Sequence, residues 1–326
     1  MSETKPTLTE TLKKRWFLIA LVIVSILGFF LGRHTELGGM FPRHWTLVTL
    51  GLIMFCVGLT ANVRALFEAF LNWKASLLSL VMTYVAAPSV AFGLGLLLFE
   101  RDSELFQGCV IVGCTASTVS SAIVYTRICG GNHALSIVLA NLSNIISVFL
   151  TPAMIGAFLG TTIEVDVPRM ILKLVIGVLI PILVAQLVSG FAGEKIEPVR
   201  PIASKLSQVG ILVVVFTAVC KTFYSAEPEF YGELPKSGLQ MLVFCFLIYI
   251  ALIRLSIAGA RLAGLNMKDS IAVGFASSQK TLAATIVIAT EFFTPLASLP
   301  MILYHLVQLL YGGYDCDRLK RQAGNE

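Results

Sequence analysis

Nine stretches of this 326-residue chain contain no Asp, Glu, Lys or Arg: 16–32, 44–63, 75–99, 105–126, 128–163, 174–193, 206–220, 237–253 and 292–314. A helix needs roughly 20 apolar residues to cross the hydrocarbon core of a bilayer, with a range of about 17 to 25. Each run therefore reads as a span, the shorter ones completed by neighbours at the interface. A tenth run, 270–290, is interrupted once, by Lys280. The bilayer core holds no water for unpaired backbone groups, so these segments are expected to be helices rather than loops. The alternating pattern of transmembrane strands, about ten residues each, is absent. The expectation is an all-α membrane protein with ten transmembrane helices, one transmembrane domain and no separate soluble one.

Charge sets the orientation. The chain carries 24 Lys and Arg residues against 19 Asp and Glu. The excess does not point to nucleic acid, because no basic patch interleaved with aromatics exists and the cations lie mainly between runs. With the N-terminus in the cytoplasm, fifteen Lys and Arg fall inside and seven outside, while Arg254 and Lys280 fall within spans. Two to one agrees with the positive-inside rule and places both termini in the cytoplasm. The cell (plasma or inner) membrane is the expected location, with the lipid bilayer as the surrounding partner. The first run follows Lys13, Lys14 and Arg15 but no small-residue cleavage site follows it, so it reads as an uncleaved span. Arg254, near the inner end of the eighth span, reads as a snorkelling residue. The seven cysteines show no Cys-x-x-Cys pair and sit mostly in apolar runs, where cysteine acts as a small hydrophobe, so no disulfide or zinc framework is expected. The four histidines have no metal-ligand spacing.

The chain compares with itself. Aligning Gly113 with Gly274 also aligns Val112 with Val273 and Ser117 with Ser278, an offset of 161 residues, close to half the length. Five spans precede the midpoint and five follow. An odd number per half gives the halves opposite orientations, which is the inverted-repeat plan of many secondary transporters. The expected halves are 1–163 (helices one to five) and 164–326 (helices six to ten).

Both matched segments are rich in small polar residues: Gly113-Cys-Thr-Ala-Ser-Thr-Val-Ser-Ser-Ala122 and Gly274-Phe-Ala-Ser-Ser-Gln-Lys-Thr-Leu-Ala283. One reading is close helix packing through small side chains. The other is a helix that unwinds, presenting carbonyls and hydroxyls to a cation and a half-helix N-terminus to an anion. Neither segment contains proline, so nothing forces a break. Lys280 is the middle residue between Asp269 and Glu291. Even lenient scales charge about 2.5–3.5 kcal/mol for a lysine at that depth. No Asp or Glu interrupts a span, so its ammonium must be balanced by carbonyls, hydroxyls or an anionic ligand, or lose its proton. A purely structural lysine satisfied by carbonyls is the competing reading. The fifth span adds a polar line, Ser136, Ser143 and Ser147, with Asn141 and Asn144 beside it. Interhelical hydrogen bonding alone is the competing reading of that line. Thr83 and Pro88 point to a polar wall and a kink in the third span.

Gly131-Asn-His-Ala-Leu-Ser136, the run to Leu150-Thr151-Pro152, Phe55-Cys-Val-Gly-Leu-Thr60 and Ser278-Gln-Lys-Thr-Leu-Ala283 resemble the bile acid:sodium symporter family over essentially the whole chain. The Ser-Gln-Lys-Thr-Leu motif is similar to that of the divergent branch containing mammalian member 7 and bacterial relatives. The resemblance implies a panel domain and a core domain, with helices four and nine discontinuous and crossed. It implies two sodium ions behind the crossing, with Thr83, Ser117, Thr118, Ser136, Gln279 and the carbonyls beside Gln279 as ligands. Asn141 and Ser278 join this ion-binding set. Lys280, Ser120, Ser121, Asn144 and Thr281 are the candidates for substrate binding or for a tethered cation. The sequence departs from the family in two places: Phe275 stands where the family has a glutamate, and Lys280 where it has an asparagine. A fixed and a mobile cation about 4 Å apart repel by about 4 kcal/mol at an effective dielectric of about 20.

The functional expectation is a secondary active transporter that symports a small organic anion with sodium, or with a proton, by alternating access. It is not an enzyme, and it needs no cofactor beyond a sodium ion. An ion channel and a regulatory membrane protein without transport are the alternatives. The sequence leaves substrate and oligomeric state open.

Overall fold

The structure is a computed structural model that describes residues 8–42, 45–60, 71–160 and 163–323. Of the residues used to orient the chain, Lys5, Arg43 and Arg64 lie outside these, as does the end of the second run.

Among the described residues the fold is all-helical. The helices are α1 (Leu8–His34), α2 (Trp45–Thr60), α3 (Trp73–Leu98), α4 (Glu104–Cys114), α5 (Val119–Ile128), α6 (His133–Leu159) and α7 (Val167–Ala192). They continue with α8 (Arg200–Ser225), α9 (Pro228–Leu262), α10 (Met267–Ser278), α11 (Leu282–Phe292) and α12 (Leu299–Ala323). Among the described residues seven segments are long and apolar enough to cross a bilayer; α2, α4 and α11 are shorter apolar helices. Long apolar side chains such as Ile23, Phe30, Leu52 and Leu97 face outward, the inverse of a water-soluble surface.

The packing falls into two sets. Helices α1, α2, α7 and α8 pack on one another, as do α3–α6, α9, α10 and α12. Helix α11 bridges them, touching α2 and α8 on one side and α4 and α12 on the other, and the sets also meet where α7 packs on α6 and α1 on α12.

Proline chemistry shapes two helices. In α3 the turn Met82–Ala86 is a wide π-type turn followed by Pro88, and in α7 the turn Val175–Leu179 is followed by Pro181. A proline inside a helix removes an N–H and crowds the carbonyl four residues back. The wide turn relieves that crowding by shifting the bonding one residue, so that Ala87 N–H meets the Met82 carbonyl and Ile180 N–H the Val175 carbonyl.

Some expectations change. Cys129 and Cys316 form a disulfide between the end of α5 and α12, with Cα atoms 4.7 Å apart. The pair is 187 residues apart, so linear spacing carried no trace of it. Arg254 is not simply snorkelling: its Nη2 donates to Asp315 Oδ1 at 2.7 Å. The last charge-free run stops at 314, but α12 continues past Asp315, which is buried inside it. Charge counting along the chain misses a carboxylate that a later helical turn carries indoors.

Candidate functional site

The run from α4 to α5 is broken at Thr115–Thr118, and that from α10 to α11 at Gln279–Thr281. The two breaks lie against each other. Thr118 N–H donates to the Gln279 carbonyl at 3.0 Å and Thr281 N–H to the Ala116 carbonyl at 2.9 Å, an antiparallel bridge centred on Ser117 and Lys280. Non-helical backbone at membrane depth requires protein partners for its polar groups, and each break supplies them to the other. Side chains satisfy further peptide groups. Ser117 N–H donates to Ser143 Oγ at 3.1 Å and Asn144 Nδ2 to the Ser117 carbonyl at 2.8 Å. Ser278 ends α10, 164 residues after Cys114 ends α4, so the breaks are offset by three residues more than the Gly113–Gly274 alignment.

Lys280 is fully buried at this bridge. Its Nζ donates to the carbonyls of Thr83 at 3.2 Å, Gly113 at 3.2 Å and Thr115 at 2.9 Å. An ammonium has three N–H donors, so none is left for an anion in this conformation. Local rules explain why these carbonyls are free. Gly113 and Thr115 lie at the end of α4, where the last carbonyls lack intrahelical partners and the helix dipole is negative. Thr83 belongs to the wide turn: the N–H four residues on is taken by Met82, and the next residue is Pro88, which has none. Gly113 has a second duty. A Cβ there would lie 2.5 Å from Ala91 Cβ and 2.8 Å from the Ala87 carbonyl, so glycine lets α4 approach α3.

A residue not foreseen from the sequence, Gln308 on α12, holds the lysine from behind. Lys280 N–H donates to Gln308 Oε1 at 2.8 Å, and Gln308 Nε2 donates to the Lys280 carbonyl at 3.0 Å. Gln308 Nε2 also lies 2.6 Å from His305 Nδ1. The signal was a lone Gln in the charge-free run 292–314. Tyr84 and Tyr304 were also passed over: Tyr84 donates to the Ser143 carbonyl at 2.7 Å and Tyr304 to the Ser278 carbonyl at 2.6 Å.

The foreseen residues divide into groups. Gln279 accepts from Ser121 Oγ at 2.7 Å and donates through Nε2 to the Gln308 carbonyl at 3.2 Å and Tyr249 Oη at 3.4 Å. Thr118 Oγ1 lies 3.5 Å from the exposed Ser120. Ser278 Oγ turns back to the Gly274 carbonyl. Thr281 meets the crossing through its backbone. The hydroxyls of Thr83 and Ser117 and the amide nitrogen of Asn141 are buried without a partner among the described residues. Ser136 is set apart. It bonds Thr126 at 3.1 Å, and it precedes Ser143 by seven residues, about 10 Å of helix. Ser117, which bonds Ser143, and Ser136 are therefore not joined at one point. Phe275 stacks on Tyr125, centroids 5.8 Å apart, so an aromatic contact fills the position of the family's glutamate.

Crossed half-helices around a buried lysine, in a multi-pass bundle of apolar helices, define a membrane transport protein. The model of the SBF-like CPA transporter family matches residues 15–321, and the chain belongs to that family. It is a transporter rather than an enzyme. Among its relatives are sodium/bile acid cotransporter 7-B of Xenopus laevis, 27% identical over 317 residues that span 94% of this chain and 91% of that one. An uncharacterized protein of Pseudomonas aeruginosa is 28% identical, over 90% of this chain and 89% of its own. Sodium/bile acid cotransporter 7 of Rattus norvegicus is 26% identical, over 94% and 92%.

Proposed function

We propose that this transporter is a sodium-coupled symporter of a small organic anion, in which the Lys280 ammonium permanently occupies one of two cation positions at the helix crossing. The carrying observation is the cage itself: three carbonyls and, among the described residues, no carboxylate around a wholly buried ammonium. Carbonyl oxygens suit a hard monovalent cation, and a tethered one needs no binding energy to stay. The mobile sodium falls to the oxygens around Ser117, Thr118, Asn141 and Gln279, with the Thr83 and Ser117 hydroxyls still unpartnered.

The proposed architecture is ten spans in two inverted halves, 1–163 and 164–326, with both termini in the cytoplasm of a cell whose plasma or inner membrane holds the protein. In this reading α1, α2, α7 and α8 are the panel, and the remaining helices are the core that rocks against it. The relatives named as sodium/bile acid cotransporters support the sodium and the organic anion.

The test is uptake of a radiolabelled organic-anion panel into proteoliposomes, with and without an inward sodium gradient. Saturable uptake that the gradient drives is expected. Uptake indifferent to sodium would remove the mobile-ion assignment, and unitary currents would replace symport with a channel.

A further inference from the structure

The far end of α11 carries a second buried charge. Glu291, in its last turn, has a side chain only 2% exposed. Oε2 is paired with the Lys173 ammonium of α7, and Oε1 accepts from Thr46 Oγ1 of α2 at 3.2 Å. The ammonium also lies 5.5 Å from the centroid of the Phe292 ring. Lys173 and Thr46 belong to one packing set, whereas Glu291 sits on the half-helix that begins beside Lys280. Eleven residues separate Lys280 and Glu291, about 16 Å of helix. Among the described residues the carboxylate's bonding partners thus come from across the boundary between the two sets. Parting them at this end would take away both the ammonium and the hydroxyl at once. A buried carboxylate without a counter-charge is strongly disfavoured, so on separation Glu291 takes water, a proton or a cation from the side that opens.

We propose that Glu291 is an outer cation site whose occupant alternates. The Lys173 ammonium fills it when the outer end is closed, and a small monovalent metal cation from outside, sodium, fills it when the end opens. This rests on the proposed reading that the two sets move apart. Hard cations take oxygen ligands, carboxylate and water among them. External sodium thereby competes with Lys173 and favours the outward-open form. Sodium reaches Glu291 before it reaches the crossing, and α11 joins the two positions.

The experiment uses the full chain in proteoliposomes with Thr49→Cys as reporter, one turn deeper in α2 than Thr46 and nearly buried. The labelling rate by an external membrane-impermeant maleimide is read in sodium chloride against choline chloride, over background from the chain without the reporter. Anion uptake is measured on the same preparations. In the reporter chain, sodium should speed labelling about tenfold, a shift of about 1.4 kcal/mol in the opening equilibrium. Lys173→Met should bring the half-effective sodium concentration down. Glu291→Gln should remove the sodium response, and Lys173→Met with Glu291→Gln should remain unresponsive. If Glu291→Gln keeps the parent's sodium dependence of labelling, the cation acts elsewhere and the assignment is overturned. If labelling ignores sodium while anion uptake proceeds, this site fails and the transport reading stands. If neither labelling nor uptake occurs, the transport reading fails and takes the site with it. Circular dichroism and the detergent melting curve of each variant separate a folding defect from a lost site.

Discussion

Lys280 shows how much a single residue can disclose before any fold is known. A charge at the centre of an apolar run is expensive enough to require a compensating structure, and the three carbonyls supply it. Ser121, Gln279 and Asn144 were legible in the same way, as polar groups in apolar helices, and all three hydrogen-bond at or beside the crossing. Gln308 was not singled out. One uncharged amide in a long apolar run looks like tolerated polarity until its two bonds to the Lys280 peptide are seen. Its removal is therefore informative. Gln308→Leu is close in volume and strands a buried N–H and a buried carbonyl, at about 1–3 kcal/mol each. The melting temperature in detergent should fall and anion uptake should fall with it. Gln308→Glu keeps the acceptor for Lys280 N–H and should lose less on both readouts. A Gln308→Leu protein with parental melting and uptake would mean that the clamp is incidental.

At the scale of elements, runs free of charge located the long helices well, because span length follows from bilayer thickness. They could not locate the breaks. Neither break contains a proline or a left-handed residue, so local sequence does not dictate it. Each break exists because the other one accepts its peptide groups, a pairing between residues more than 160 positions apart. The Cys129–Cys316 and Arg254–Asp315 pairs escaped for the same reason. Pro88, by contrast, acts locally, and its consequence reaches the site. Pro88→Ala restores an N–H to α3, which relaxes the wide turn and returns the Thr83 carbonyl to the helix ladder. Lys280 then loses one of three acceptors. The initial uptake rate of Pro88→Ala should fall several-fold at equal protein abundance, while Pro181→Ala, in the corresponding turn of α7, should stay near the parent. Equal effects of the two substitutions would detach the wide turn of α3 from the ammonium cage.

For the molecule as a whole, the two packing sets meet through α11 and also where α7 packs on α6 and α1 on α12, and α11 starts two residues after Lys280 and carries Glu291 in its last turn. Motion of one set against the other would act directly on the Glu291 pair, while the Lys280 cage, built from α3, α4 and α12, would move as one body. The central claim is that the Lys280 ammonium stands in for a bound ion of the transport cycle. The most direct measurement is the initial rate of sodium-driven anion uptake by Lys280→Met, with abundance and melting temperature matched to the parent. Methionine keeps the unbranched shape of the side chain, one atom shorter, and removes its charge, so loss of uptake in a folded protein is the expected result. Lys280→Arg, which retains the charge with a different shape, should keep measurable anion binding. A Lys280→Met protein that takes up the anion at the parental rate would show the lysine to be structural and contradict the central claim.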